Sequence, residues 1–312
     1  MTCTCPRWTG GARLGTYPGV VPRLVSQTPR VLPVTGCHDV PWLLAFLGAH
    51  AVPGIETWDG STYSRSVILD GRPYVLRVRA HTGGVESSGP RETDPTVTHL
   101  LGLADDPAAA VAALSGDPVL GPLVRRAPGV RAPGSADHAE TLLRTVVGQQ
   151  VSLAAARTVT GRLVAEHGSP LPRRLVTHGG PTHLFPEPAV LARADPALLP
   201  MPRARGRTVV GVAAALADDP ALVHDDTALL ALSGLGPWTV DYTRLRTRRD
   251  PDVFLPTDLA VRRQLDRLAG PDTPVRRAAV AGWAPHRSLA LMHLWADYLH
   301  SATAVASAGL PA

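Results

Sequence analysis

Residues 230–263 read LALSGLGPWTVDYTRLRTRRDPDVFLPTDLAVRR. Within them, Leu232-Ser233-Gly234-Leu235-Gly236-Pro237 sets two glycines around one apolar residue between two helical segments. Glycine permits a tight turn and close backbone approach. Gly236 suits the N-cap and Pro237 the first position of the next helix. Such a turn presents bare N–H groups at a helix start, where a phosphate is favoured. On these six residues an ordinary helical-hairpin turn fits as well. Trp238 and Tyr242 are four apart on the following helix and share a face, as core aromatics or as the lining of a site. Twenty residues after Trp238 stands Asp258, in FLPTD, with Val253, Phe254 and Leu255 leading in and a helix following. Its position alone reads as a helix-start carboxylate, with Thr257 as a rival cap.

From about residue 105 the chain is helical in pattern. Residues 138–166 carry Leu142, Val146, Leu153, Ala156, Val159 and Leu163 near helical spacing, and Gly148-Gln149-Gln150 predicts a split into two helices. Further helices are expected at 107–115, 188–194, 204–217, 226–232, 237–247, 258–268, 274–281 and 286–300, with 169–186 a Pro-, Gly- and His-rich loop. The last helix, HRSLALMHLWADYLH, is apolar on most faces and should be buried. Upstream, residues 40–50 after Asp39 predict a capped helix. Residues 63–69 and 73–79 alternate as half-buried strands around a DGR turn, and 95–101 read as a further strand. The expected organisation is a disordered leader (1–30), a small α/β domain of TBP-like type (31–106), a helical body (107–302) and a tail (303–312). The body divides into a hairpin-containing part (137–249) and a second helical part (107–136 with 250–302).

Length and composition bound the function. At 312 residues, 45% hydrophobic and a mean hydropathy of +0.05, the chain has the material for about two globular cores and is not wholly disordered. No apolar run is long enough to span a membrane, and no signal-peptide core opens the chain, so a cytoplasmic protein is expected. The net charge of +5 suggests nucleic acid, but residues 1–30 hold Arg7, Arg13, Arg23 and Arg30 with no acid, leaving +1 for the remainder. Three cysteines exclude a four-cysteine iron–sulfur cluster. All 31 basic residues are arginine. Whatever its cause in codon usage, that removes every side-chain amine from Schiff-base chemistry. No cofactor is expected, and His178 and His183 lack further ligand spacing for a metal.

A helical hairpin followed eighteen to twenty residues later by a Pro–Asp-type step resembles the helix-hairpin-helix DNA glycosylases. The chain is most similar to their alkylation-repair type, 3-methyladenine DNA glycosylase II. VVGQQVSLAAARTV (146–159), FPEPAVLARADPALL (185–199), DVFLPTDLAVRR (252–263) and WAPHRSLALMHLWADY (283–298) look like that family's segments in the same order, as does WLLAFLGAHAVPGIETWDGSTYSRSV (42–67) in the small domain. The resemblance covers residues 37–300. It implies a mostly α fold with a smaller N-terminal α/β domain and an active-site cleft between helical subdomains. It also implies a monofunctional enzyme that hydrolyses the N-glycosidic bond of 3-methyladenine and 7-methylguanine in duplex DNA, as a monomer.

Residue by residue, the resemblance makes Asp258 the catalytic carboxylate and puts Trp238, Tyr242 and His286 at the base pocket. Gln149 and Gln150 fall at the turn that enters the DNA, with Gln150 or Val151 to fill the gap left by the displaced base. Gly234, Leu235 and Gly236 form the phosphate-holding hairpin, which in the family often uses a monovalent cation at the backbone of 232–236. Arg244 is assigned to DNA, and Arg203, Arg205, Arg207, Arg246, Arg248 and Arg249 are further phosphate candidates. Arg248 and Arg249 are equally suited to pair with Asp250 and Asp252. Two departures stand out: Gln150 replaces an apolar wedge, and His286 replaces a tryptophan. Strand-cutting members use a lysine where Trp238 stands here. Rival readings are a non-catalytic damage-binding protein and the glycosylase part of an adaptive-response regulator.

Overall fold

The computed structural model describes residues 28–307. Its elements run β1 (Arg30–Leu32), α1 (Val40–Ala49), β2 (Glu56–Trp58), β3 (Thr62–Leu69), β4 (Arg72–His81), β5 (Gly84–Ser87) and α2 (Asp94–Leu101). Next come α3 (Ala108–Ser115), α4 (Gly121–Arg126), α5 (His138–Val147), α6 (Leu153–His167), α7 (Pro188–Leu191) and α8 (Arg203–Asp218). The chain closes with α9 (Asp226–Ala231), α10 (Pro237–Thr247), α11 (Leu259–Ala269), α12 (Pro274–Gly282) and α13 (Arg287–Ser307). Among the described residues no helix is long and apolar enough to cross a membrane.

The strands form one antiparallel sheet in the order β1-β5-β4-β3-β2. Leu69 pairs with Arg72 across a two-residue turn in which Asp70 and Gly71 both have positive φ, +49° and +71°, the geometry that matches the twist of a hairpin. Tyr63, Val67, Leu76 and Val78 face α1 and α2 in one core. β4 keeps the expected alternation, with Leu76 and Val78 buried and Arg77 and Arg79 more exposed, but β3 is buried on both faces over most of its length. Ile68 and Val75, on the other face, pack on Leu171 and Leu184 of the 169–186 loop, and Ser66 donates to the His183 carbonyl at 2.6 Å.

Three further expectations are corrected by the structure. Residues 95–101 are helix, not strand: Val97, Leu100 and Leu101 turn inward at helical spacing, Pro95 occupies the first turn, and Gly102 ends the helix at φ +61°. The expected leader (1–30) lies mostly outside the described residues, but Arg30 already belongs to β1, paired with Ser87 and bonded through Nε to Asp94 at 2.8 Å. At the other end α13 runs to Ser307, past the expected boundary at 302.

The helices enclose two further cores. One joins α5, α6, α8 and α10 through Leu142, Val146, Leu163, Val209 and Val240. The other joins α3, α4, α11 and α13 through Leu114, Leu123, Val261, Leu291 and Leu294. The break after α5 is built as its sequence suggests: Gly148 caps α5, Gln150 takes φ +55°, and Ser152 Oγ accepts from the Ala155 N–H to start α6.

Candidate active site

Asp258 is the N-cap of α11, and its Oδ1 accepts the Val261 N–H at 3.0 Å. Thr257 does not take that role. Two indoles converge on the same carboxylate: Trp238 donates to Oδ2 at 3.3 Å and Trp295 to Oδ1 at 3.2 Å. The carboxylate is half-buried, so three donors replace part of its water while leaving it accessible. Trp238 and Tyr242 stack with centroids 5.4 Å apart and planes 8° apart, and Tyr242 meets Trp295 at 6.1 Å and 58°. The helical spacing of Trp238 and Tyr242 thus makes a ring wall beside a carboxylate, with both rings packed on the α11–α13 core.

The hairpin between α9 and α10 follows the glycine pattern. Gly234 has φ +86°, and a Cβ there would collide with Thr208 on α8. Leu235 tucks into the α5–α8 core at 8% exposure, while Gly236 caps α10 without a side chain. Among the described residues the N–H groups of Gly234 and Gly236 find no internal acceptor, so they remain available to an anion. The Gln149 turn is tied to this hairpin: Gln149 Nε2 donates to the Gly234 carbonyl at 3.1 Å and to Thr239 Oγ1 at 2.9 Å. Arg205 fixes the same turn from α8, donating to the Gln149 carbonyl at 2.6 Å. Gln150 and Val151, next in the chain, are exposed.

The family model described as the AlkA N-terminal domain matches residues 30–137. A probable bifunctional transcriptional activator/DNA repair enzyme AlkA of Mycobacterium tuberculosis (strain CDC 1551 / Oshkosh) is 38% identical over 288 residues. That alignment covers 86% of this chain and only 57% of the relative. The DNA-3-methyladenine glycosylase 2 of Escherichia coli (strain K12) is 31% identical, with 83% of this chain and 93% of the relative aligned. The chain belongs to the DNA-3-methyladenine glycosylase 2 family. Among solved structures, the 3-methyladenine DNA-glycosylase of Archaeoglobus fulgidus shares the fold at a TM-score of 0.71 and 20% identity, covering 86% of this chain and 97% of that one.

Not every expected site residue of this family member joins the Asp258 cluster. His286 sits at the entry to α13, its N–H on the Trp283 carbonyl at 2.7 Å, beside the Asp252–Arg287 ion pair. Among the described residues no ring contact links it to Trp238, Tyr242 or Trp295. Trp283 is core: 2% exposed, edge-on to Phe254, with its indole N–H on Asp117 at 2.8 Å. Arg244 is held by Asp226, Asp241 and Asp250 at 3.0–3.4 Å. Arg248 pairs with Asp226 and Arg249 with Asp105, rather than with Asp250 and Asp252. Arg203 and Arg207 are exposed.

The member of the cluster that sequence reasoning missed is Trp295. It lies within the helix expected to be buried, and an indole N–H on a buried helix needs an acceptor. That was the available signal, but nothing local names Asp258, 37 residues away, as the acceptor. Among the described residues no group of three or more His, Cys, Asp or Glu is placed to hold a metal.

Proposed function

We propose that the protein is a monofunctional DNA glycosylase that hydrolyses the N-glycosidic bond of N3- and N7-alkylated purines in duplex DNA. The observation that carries this reading is the Asp258 carboxylate held by the Trp238 and Trp295 indoles at the edge of a three-ring cluster. An alkylated purine carries a formal positive charge and leaves readily, so a strong general acid is not required. Electron-rich ring faces attract such a cation by about 0.5–2 kcal/mol per contact. As the bond to the sugar breaks, positive charge moves to the sugar, and an ionised carboxylate about 4 Å away stabilises it by ~4 kcal/mol at an effective dielectric of ~20. Asp258 also serves to orient the attacking water.

The base must first leave the stack, at a cost of a few kcal/mol. The exposed Gln150–Val151 turn supplies side chains for the vacated gap, and the hairpin N–H groups hold a backbone phosphate. The family's monovalent cation fits the hairpin. Its donors there are neutral carbonyl oxygens, and that of Leu235 has no N–H partner among the described residues. Leu232 and Leu235 would hold such an ion, which supplies positive charge beside the phosphate. We also assign the three cores to three units, 30–106, 137–249, and 107–136 with 250–307, with α10 lending Leu245, Trp238 and Tyr242 to the last.

The test is to incubate the protein and Asp258→Asn with methylated duplex DNA and measure free 3-methyladenine and 7-methylguanine. Release by the parent protein and strong loss in the variant are expected. Tight binding without release by either makes it a damage-binding protein instead.

A further inference from the structure

Resting on the glycosylase reading, we propose that Arg246 is a positioning residue for the base pocket. It fixes the Tyr242 hydroxyl as a hydrogen-bond donor and so favours bases that present a carbonyl oxygen there. Arg246 lies one turn after Tyr242 on α10, and its Nη1 donates to the Tyr242 oxygen at 2.7 Å. A guanidinium has no acceptor, so the phenol oxygen must be the acceptor and its own hydrogen is not spent on Arg246. Among the described residues no other group takes that hydrogen. In the glycosylase reading it is left for the base stacked beside the ring.

Arg246 is itself held on its remaining donors. Nε donates to the Pro133 and Gly134 carbonyls at 2.9 and 3.2 Å, and Nη2 to Gly134 at 2.9 Å. Residues 133–134 are buried, and the Gly134 N–H donates to the Leu100 carbonyl of α2 at 2.8 Å. Gly134 has no room for a Cβ, which would collide with the His99 backbone. A fixed chain of contacts therefore runs from α2, beneath the sheet, through 133–134 and Arg246 to the ring stacked on Trp238. This gives the small N-terminal unit a part in setting the pocket.

Guanine-type bases present the O6 acceptor where adenine-type bases present an amino donor. A fixed Tyr242 donor therefore discriminates 7-methylguanine from 3-methyladenine. The test is binding of the two free bases, read by tryptophan quenching, in the parent, Tyr242→Phe, Arg246→Met and the double variant, with release from methylated DNA assayed in parallel. Tyr242→Phe removes only the hydroxyl and keeps the proposal testable if Arg246→Met folds poorly. We expect Tyr242→Phe and Arg246→Met each to weaken 7-methylguanine binding about ten-fold and 3-methyladenine less than three-fold, with the double variant no worse than either single. Equal weakening of both bases by Tyr242→Phe, or additive losses in the double variant, overturns the proposal. The expected binding pattern without base release by the parent overturns the glycosylase reading and leaves the positioning intact.

Discussion

The indole N–H of Trp295, near the middle of α13, donates to the Asp258 carboxylate that caps α11, at 3.2 Å. With Trp238 on the other oxygen, it fixes both the position and the rotamer of the group to which catalysis is assigned.

Trp295→Phe keeps a ring against Tyr242 and removes the donor. A hydrogen bond to a charged group is worth ~1.5–3 kcal/mol, so stability in denaturant titrations should fall by up to about that much, and single-turnover release of alkylated purines should fall roughly ten-fold or more as the carboxylate loses its fixed position. An unchanged rate would remove Trp295 from the site.

Gln150 sits at φ +55°, a conformation that costs a non-glycine residue ~1–2 kcal/mol. Gln150→Gly should therefore raise stability in denaturant titrations by up to about 1 kcal/mol while weakening excision from duplex DNA, because the side chain offered to the gap is gone. A gain in both stability and duplex activity would show that Gln150 does not act as the wedge.

Arg65, Glu56, Arg144 and Glu140 form a closed ring of alternating charge joining β2, β3 and α5. Arg65–Glu140 is 2.7 Å, Arg65–Glu56 3.3 Å, Arg144–Glu56 3.0 Å and Arg144–Glu140 2.8 Å. Burial pushes the Glu56 carboxyl up, but Arg144, Arg65 and the Tyr63 hydroxyl outweigh it and bring it down to about 2. Arg65→Met leaves buried carboxylates short of a partner and should cost ~3–5 kcal/mol in denaturant unfolding. Adding Glu140→Leu should recover part of that loss, whereas strict additivity would mean that the two do not interact.

His293 is 2% exposed on α13, and burial, reinforced by Arg126, lowers its pKa to about 4. The unfolded chain takes a proton near pH 6.5 and the folded chain does not, so this group's contribution is complete above that pH. It is lost as pH falls toward 4 and is then constant. The loss is on the order of 3 kcal/mol. His293→Leu should flatten the stability–pH curve between pH 6.5 and 4 by about one proton, and an unchanged slope would show that His293 is not buried neutral.

With Trp238 at the hairpin helix and no lysine in the chain, abasic DNA should survive incubation intact and give no borohydride-trapped adduct on a side chain. Efficient trapping on a side chain would overturn this.

Local rules made much of this protein legible in its sequence. The two glycines and proline of 234–237, the Gly148–Gln150 break, the Asp70-Gly71 turn and the cap at Asp258 each act within one turn of chain, where backbone sterics and unpaired N–H groups decide the outcome. The same local logic placed Trp238 and Tyr242 on one face. Only the tertiary structure decided what those residues meet. Residues 95–101 became helix because their apolar side chains had a core to enter at helical spacing. Arg30–Leu32 became strand because β5 offered an edge. The second sheet face is buried because the 169–186 loop returns across it. Trp295 on Asp258, Arg246 on Tyr242 and the carboxylates around Arg244 are likewise set by packing between distant elements, which no periodicity in a single segment encodes.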